Sequence, residues 1–343
     1  MALPPWPTRR TSLAPVPLLG LLSGAGFLLS GCEGAQSALD PAGFNAREIL
    51  FTSWILFIGG AVIFLFVMAL AVWAVLAKGD RFPGARAWVI GGGILFPVVT
   101  LTALLLHEFA LARRLVTVAE TPALTIEVTG YMWWWDVRYR RPGAGPEEPA
   151  LRSANELVIP TGRPVELLVG AADVIHSFWV PSLAGKMDMI PGHVNRLALL
   201  AEKPGLYRGQ CAEYCGAQHA LMAFHVRVLE PEEFDAWLAA RNRPVTRPED
   251  PVLARGYDAF FTQGCQSCHA VRGTPAVSTL GPDLSDMGAR AGLAAGSFEN
   301  NVGTLAGWIA SAQHLKPGNR MPSFNVMDGE TLRALAAWLE SLK

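Results

Sequence analysis

From Ile49 to Ala77 the chain runs without a charged side chain, and from Ala87 to Leu106 it does so again. A bilayer core takes about 20 apolar residues of helix, so each run can cross one. Two soluble helices of this kind would have no polar face to turn outward, which is a poor soluble design. Gly91-Gly92-Gly93 and Pro97 in the second run are residues that membrane helices tolerate. The connecting loop sets Lys78, Arg81 and Arg86 against Asp80. The positive-inside rule puts that loop in the cytoplasm and both ends of the hairpin outside. The spans are expected over 49–77 and 87–109, with 32–48 external. His107 and Glu108 close the second run, where a solvated interface is expected. Composition agrees: 51% hydrophobic against 17% charged is high for a soluble protein. A formal net charge of -1 supplies no basic field, so nucleic acid is not an expected partner.

Residues 1–31 read as an export signal, with Arg9 and Arg10 ahead of an apolar stretch from Pro17 to Leu29. Leu29-Ser30-Gly31-Cys32 resembles a bacterial lipobox, which implies lipidation of Cys32; the alternative is a chance Cys behind another signal cut. Beyond Thr121 the pattern changes to short runs divided by turn residues. Strands are expected at Leu124–Thr129, Glu156–Ile159, Val165–Val169, Arg196–Leu200 and Phe224–Leu229, a small antiparallel sandwich or barrel over 121–230. A short helix at 231–240 and a Pro-rich charged stretch then form a linker over 231–249. Residues 250–343 read as a separate helical domain in which acids and bases nearly balance.

Cys211-Ala-Glu213-Tyr-Cys215-Gly-Ala-Gln-His219-Ala-Leu-Met222 puts two thiols, an imidazole and a thioether within one short stretch. Such donors suit a soft metal, and the Met favours copper over zinc. A second imidazole is available at His176. The bland alternative is a Cys211–Cys215 disulfide, which leaves the His and Met pattern unexplained.

In the last domain Cys265-Gln-Ser-Cys268-His269 is the c-type haem attachment signal, with the thiols joined to the vinyl groups and His269 on the iron. A redox Cys-x-x-Cys would need a βαβ context, whereas the flanks here are helical. A thioether completes a six-coordinate carrier. Met321, in Lys316-Pro-Gly-Asn-Arg-Met321-Pro322, resembles the Met-Pro loop of class I cytochromes c, with Met287 and Met327 as rivals. Each of the five cysteines thus has its own role.

The Cys211–Met222 segment and His176 resemble the binuclear copper A site of cytochrome c oxidase subunit II. The resemblance covers essentially the whole chain. It implies a multidomain fold: a two-helix transmembrane hairpin, an all-β cupredoxin-like Greek-key barrel, and an all-α class I cytochrome c domain. It further implies that Cys211 and Cys215 bridge two copper ions. His176 and Met222 would complete one, and His219 with the carbonyl of Glu213 the other. The Glu213 carboxylate would reach a magnesium or manganese ion shared with subunit I. In Gly130-Tyr-Met-Trp133-Trp134-Trp135, Trp133 matches the residue through which electrons enter. A general reading of this cluster is a core or interface plug. Two family features are missing. His193 stands where relatives carry an Arg, and no Glu precedes the second span. Neither the Arg contact nor a proton-path role carries over.

The expected function is that of the electron-input subunit of a respiratory oxidase in a bacterial cytoplasmic membrane. Electrons would pass from a c-type cytochrome or other periplasmic donor through covalent haem c and copper A to haem in subunit I. Oxygen reduction to water and proton pumping belong to that subunit, so no catalytic residue is expected here. The alternatives are a subunit of a nitric-oxide-reducing relative and a copper-binding assembly protein.

Overall fold

The computed structural model describes residues 34–76, 84–140 and 151–343. Cys32, the expected export signal and most of the basic loop fall outside these.

Helix α1 (Phe44–Leu76) pairs with a second helical stretch made of α2 (Ala85–Ile90), a π-helical turn (Gly91–Leu95) and α3 (Phe96–Thr117). Both stretches are long and apolar enough to cross a membrane. The π turn lies just ahead of Pro97, which has no N–H to donate to the carbonyl one turn back. The hairpin closes through Thr52 Oγ1 and His107 Nε2, 3.0 Å apart. His107 thus meets the other helix rather than a solvated interface, whereas Glu108 is exposed. Arg114 reaches Glu48 at 2.9 Å just beyond that contact.

The segment just ahead of α1 is strapped to the β domain. Ala42 N–H donates to Ser182 O and Phe44 N–H to Leu200 O. Gly43 is required here, because a Cβ would lie 2.5 Å from Leu183 O. Asn45 Nδ2 donates to Ala198 O at 3.1 Å and Arg47 pairs with Glu202 at 2.9 Å. The hairpin is therefore mounted directly on the domain it carries.

That domain is a cupredoxin-like sandwich of two five-stranded sheets. One has the order β3 (Leu151–Ala154), β2 (Trp134–Arg140), β1 (Leu124–Tyr131), β5 (Val165–Ala171), β8 (Asn195–Leu199). The other runs β4 (Glu156–Pro160), β10 (Ala223–Leu229), β9 (Gly205–Cys211), β6 (His176–Trp179), β7 (Met187–Met189). Alternate side chains of β1 and β5 point inward, so Ile126, Val128, Leu167 and Val169 are buried against Leu157, Val226 and Phe178. The expected purely antiparallel sheet needs correction: β1 pairs with β5, and β4 with β10, in parallel. The chain leaves each sheet for the other between those partners, and only a crossover of that kind returns a strand in the same direction.

After α4 (Pro231–Ala240) the linker leads into α5 (Pro251–Thr262), capped by Asp250 on the N–H groups of Val252 and Leu253. A short two-stranded ribbon, β11 (Gly292–Leu293) and β12 (Phe298–Glu299), precedes α6 (Val302–Leu315) and α7 (Gly329–Ser341). Helices α5 and α7 cross in close contact at Gly256, where a Cβ would lie 2.1 Å from Ala334 O and 2.7 Å from Trp338 Cβ. Gly256→Ala is expected to destabilise this domain by about 1–3 kcal/mol, because backbone and a buried Trp must give way. Thermal melting of the purified full chain, followed at the haem, checks this.

The two globular units meet through buried polar groups. Ser153 Oγ donates to Asp286 at 2.7 Å, and Glu156 accepts from Ala291 N–H at 2.7 Å and Arg227 at 2.9 Å. Asp286 also holds Arg290, whose Nε lies at 3.0 Å, and faces Arg241 at 3.9 Å. Gly292 packs under the His225 ring, so His225 is a boundary residue rather than a metal ligand.

Candidate metal and haem centres

The Cys211–Met222 loop links β9 to β10, and His176 opens β6 beside it. The sheet order that puts β6 next to β9 is what brings His176 to the loop. Donor atoms then gather tightly. Cys211 Sγ lies 3.7 Å from Cys215 Sγ, 3.8 Å from His176 Nδ1 and 3.1 Å from Glu213 O. Cys215 Sγ lies 3.7 Å from both His219 Nδ1 and Met222 Sδ. A disulfide needs sulfurs about 2.05 Å apart, so the thiols are free in this structure. Two donors on one tetrahedral ion with bonds of about 2.0–2.3 Å stand roughly 3.3–3.8 Å apart, and the thiol, imidazole and thioether separations fall in that range, with the Glu213 carbonyl slightly closer. All six sequence-predicted donor groups are brought together.

The surroundings fix the donors. His176 is fully buried, and its Nε2 lies 2.9 Å from Asp173 Oδ1, which leaves Nδ1 towards the sulfurs. Asp173 is fixed in turn by the N–H groups of Met132 and Val174. Gly130 leaves room for the ring, since a Cβ there would sit 2.9 Å from His176 Cδ2. Burial alone would lower the His176 pKa, but hydrogen bonds with Cys211 and Asp173 raise it above the ordinary value. The two thiols share one ionisation: the hydrogen bond from Cys215 pulls Cys211 far down, and Cys215 rises correspondingly. Asp173 is a residue that the sequence reading missed; the signal was a carboxylate three residues before His176.

A cavity of about 420 Å³ lies between the β domain and the helical domain, within the roughly 300–1,000 Å³ typical of cofactor pockets. Cys265, Cys268, His269 and Met321 line it from the helical side; Tyr131, Trp133, Asn155 and Gln218 line it from the β side. His269 Nδ1 lies 2.8 Å from Pro282 O, so Nε2 is left for an iron. Gly281 is needed beside it, as a Cβ would come within 2.9 Å of His269 Cε1. Burial lowers the His269 pKa, which keeps the ring neutral and able to ligate. Burial also pushes the Cys265 thiol up to about 11, the reverse of a reactive redox dithiol. The rival Met287 is buried with its sulfur 3.9 Å from Arg290 Nη1, and His314 is exposed.

Trp133 joins the two places. Its ring lines the cavity while its Nε1 donates to Cys215 O at 2.9 Å. Gly216, at φ +109°, gives the ring space, for a Cβ would stand 3.1 Å away. Glu213 and Tyr214 are exposed on the loop.

Comparison with known proteins agrees with this organisation. Residues 145–229 match the family model described as cytochrome c oxidase subunit II, periplasmic domain, and residues 253–343 match that of cytochrome c. The chain is similar to cytochrome c oxidase subunit 2 of Alkalihalophilus pseudofirmus, with 35% identity over 333 residues, 92% of this chain and 94% of the relative. The same protein of Bacillus subtilis is 32% identical over 232 residues, 64% of this chain and 63% of the relative. Among solved structures, the periplasmic domain of subunit II of cytochrome oxidase from Bradyrhizobium japonicum is 37% identical. It covers 36% of this chain and 95% of its own, with a TM-score of 0.31. This chain belongs to the cytochrome c oxidase subunit II family, components of an oxidoreductase complex, and carries a cytochrome c domain on the same polypeptide.

Proposed function

We propose that this chain receives electrons from a periplasmic donor, such as a c-type cytochrome, and delivers them to haem in subunit I, where dioxygen becomes water and protons are pumped. When bound, haem c and a binuclear copper A centre supply the one-electron carriers. Cys265 and Cys268 would hold the haem covalently, with His269 and Met321 on its iron. His176, Cys211, Cys215, His219, Met222 and the Glu213 carbonyl would hold the copper.

The observation that carries this reading is Trp133, whose ring faces the haem cavity and whose N–H is bonded to the backbone of Cys215. One side chain thus spans from the haem site to the copper loop, and Trp133 is where electrons would pass into that loop. A further point supports a shared pair of ions. Cys211 is flanked by His176 and the Glu213 carbonyl, and Cys215 by His219 and Met222. Each sulfur therefore neighbours one donor from each of the two proposed copper sets, as bridging sulfurs must. The exposed Glu213 carboxylate is the proposed contact to a magnesium or manganese ion against subunit I. The two apolar helices anchor the chain in the membrane, proposed to be the bacterial inner membrane as a two-span protein with both cofactor domains outside. Lipidation at Cys32 would add a second anchor.

The test is optical and paramagnetic spectroscopy of the full chain matured with haem and copper. A low-spin haem c spectrum with a mixed-valence two-copper signal, both changed by dithionite, is the expected result. Haem without the copper pair, with copper supplied and thiols reduced, would overturn the relay.

A further inference from the structure

The loop that carries the copper donors is bonded at three successive points to the cytochrome domain. Gln218, only 2% exposed, donates from Nε2 to Lys316 O at 2.9 Å and to Pro317 O at 2.8 Å. Lys316, also 2% exposed, donates from Nζ to Leu221 O at 2.9 Å and to Ala294 O at 2.8 Å. Ala223 N–H donates to Ala295 O at 3.0 Å. Residues 218, 221 and 223 bracket His219 and Met222. Residues 316 and 317 begin the loop that ends at Met321.

Two features set this contact apart from ordinary packing. A buried lysine without a carboxylate is rare, because a desolvated ammonium is unfavourable unless its protons are bonded. Among the described residues Lys316 Nζ bonds to backbone carbonyls rather than to a carboxylate, one of them across the domain boundary. The receiving segment is also held in an unusual backbone. Ala294 and Ala295 adopt φ of 53° and 57°, followed by Gly296 at 71°. Non-glycine residues enter that region only when their surroundings hold them there, and here the bonds to Lys316 and Ala223 do so. The crossing is reciprocal: a copper-loop side chain binds the cytochrome backbone, and a cytochrome side chain binds the copper-loop backbone.

We propose that Gln218 and Lys316 form a latch that registers the Met321 loop on the His219–Met222 loop. They are positioning residues for electron transfer inside the chain. The inference rests on the relay reading and extends it. The cytochrome domain works from one docked position rather than as a tethered shuttle, and shifts in either loop are transmitted to the other.

The test compares the holo full chain with Lys316→Met and Gln218→Leu, two variants that keep bulk but lose the donors. One readout is amide hydrogen exchange in 216–223 and 316–321; the other is haem-to-copper electron transfer after flash reduction, measured against solvent viscosity. Exchange in both loops is expected to rise about tenfold to a hundredfold, as loss of hydrogen bonds from a charged or buried donor implies. Transfer should slow and become viscosity-dependent, with haem and copper content unchanged. Ser153→Ala, which removes one bond at another point of the same boundary, should leave loop exchange and the absence of viscosity dependence as they were. Loop exchange within twofold of the parent, an equal effect of Ser153→Ala, or loss of either cofactor from both latch variants would overturn the latch. If the parent chain shows no haem-to-copper transfer at all, the relay reading fails instead, while the exchange comparison still decides whether the two loops are latched.

Discussion

Replacing Cys215 with serine is expected to abolish the two-copper centre while leaving the haem in place. Cys215 Sγ is a hub of the donor cluster, 3.7 Å from each of Cys211 Sγ, His219 Nδ1 and Met222 Sδ. A serine hydroxyl is a hard, weakly acidic donor on a shorter arm and cannot bridge soft ions as a thiolate does. Losing an orienting partner such as Asp173 typically weakens metal binding about 10–100-fold, and losing a bridging ligand must exceed that. Cys215→Ser should therefore show no mixed-valence copper signal, whereas Asp173→Asn should retain it at raised copper concentration. Both should keep the low-spin haem spectrum, since the proposed haem ligands lie on the other domain. Metal analysis with paramagnetic spectroscopy on the full chain decides it. An unchanged two-copper signal in Cys215→Ser would remove the bridging role.

Much of this site was legible before the fold because its donors are local. Cys211, Cys215, His219 and Met222 sit on one loop, so their types and spacing pointed to a soft-metal site, to which the family resemblance added Glu213. The short Cys265–His269 motif pointed in the same way to haem. Long apolar runs pointed to the hairpin, although the first helix starts earlier than the expected 49–77, at Phe44, and the second exceeds 87–109 at both ends, over Ala85–Thr117. What was not legible depends on pairs of residues far apart in sequence. Strands β2, β3, β6, β7 and β9 were unassigned; four of them lack clean alternation, because β3, β6 and β7 are very short and β2 buries three residues in succession. The parallel pairings arise from crossovers between sheets, which no local pattern encodes. Nothing in the local sequence marks Lys316, ahead of Pro317-Gly318, or Gln218, beside His219, as a contact between domains. Their burial exists only because two domains meet, and each domain's own pattern is silent about the other. The same holds for the acids and arginines on the opposite side of that contact.

Those groups carry the second large effect: Asp286→Ala should unfold or undock the cytochrome domain well below the parent's melting temperature. The Asp286 carboxylate, 3% exposed, sits among Arg290, Arg241 and Ser153. Its removal strands two buried guanidinium groups. Breaking a buried ion pair from one side costs about 3–5 kcal/mol. For a domain of this size each kcal/mol is worth roughly 4–8 °C, so a fall of at least about 12 °C is expected at neutral pH. The pH dependence separates this cause from loss of packing. Burial works to raise the Asp286 pKa, but the charges of Arg290 and Arg241 outweigh it and hold it below the ordinary 3.8. A depressed carboxylate stabilises the fold above its unfolded value and loses that contribution as pH falls through the folded one. Glu156 and Asp283 behave oppositely. Burial raises both, so their contributions are full below the unfolded value and are lost as pH rises through the folded one. The parent and Asp286→Ala should therefore differ by a constant amount near neutrality and converge only below the ordinary value of 3.8. A melting series of the full chain, followed at the haem from neutral pH into acid, measures that gap. A gap that stays constant through the acid range would assign the effect to lost volume, and the ion cluster would then have no part in holding the domains together.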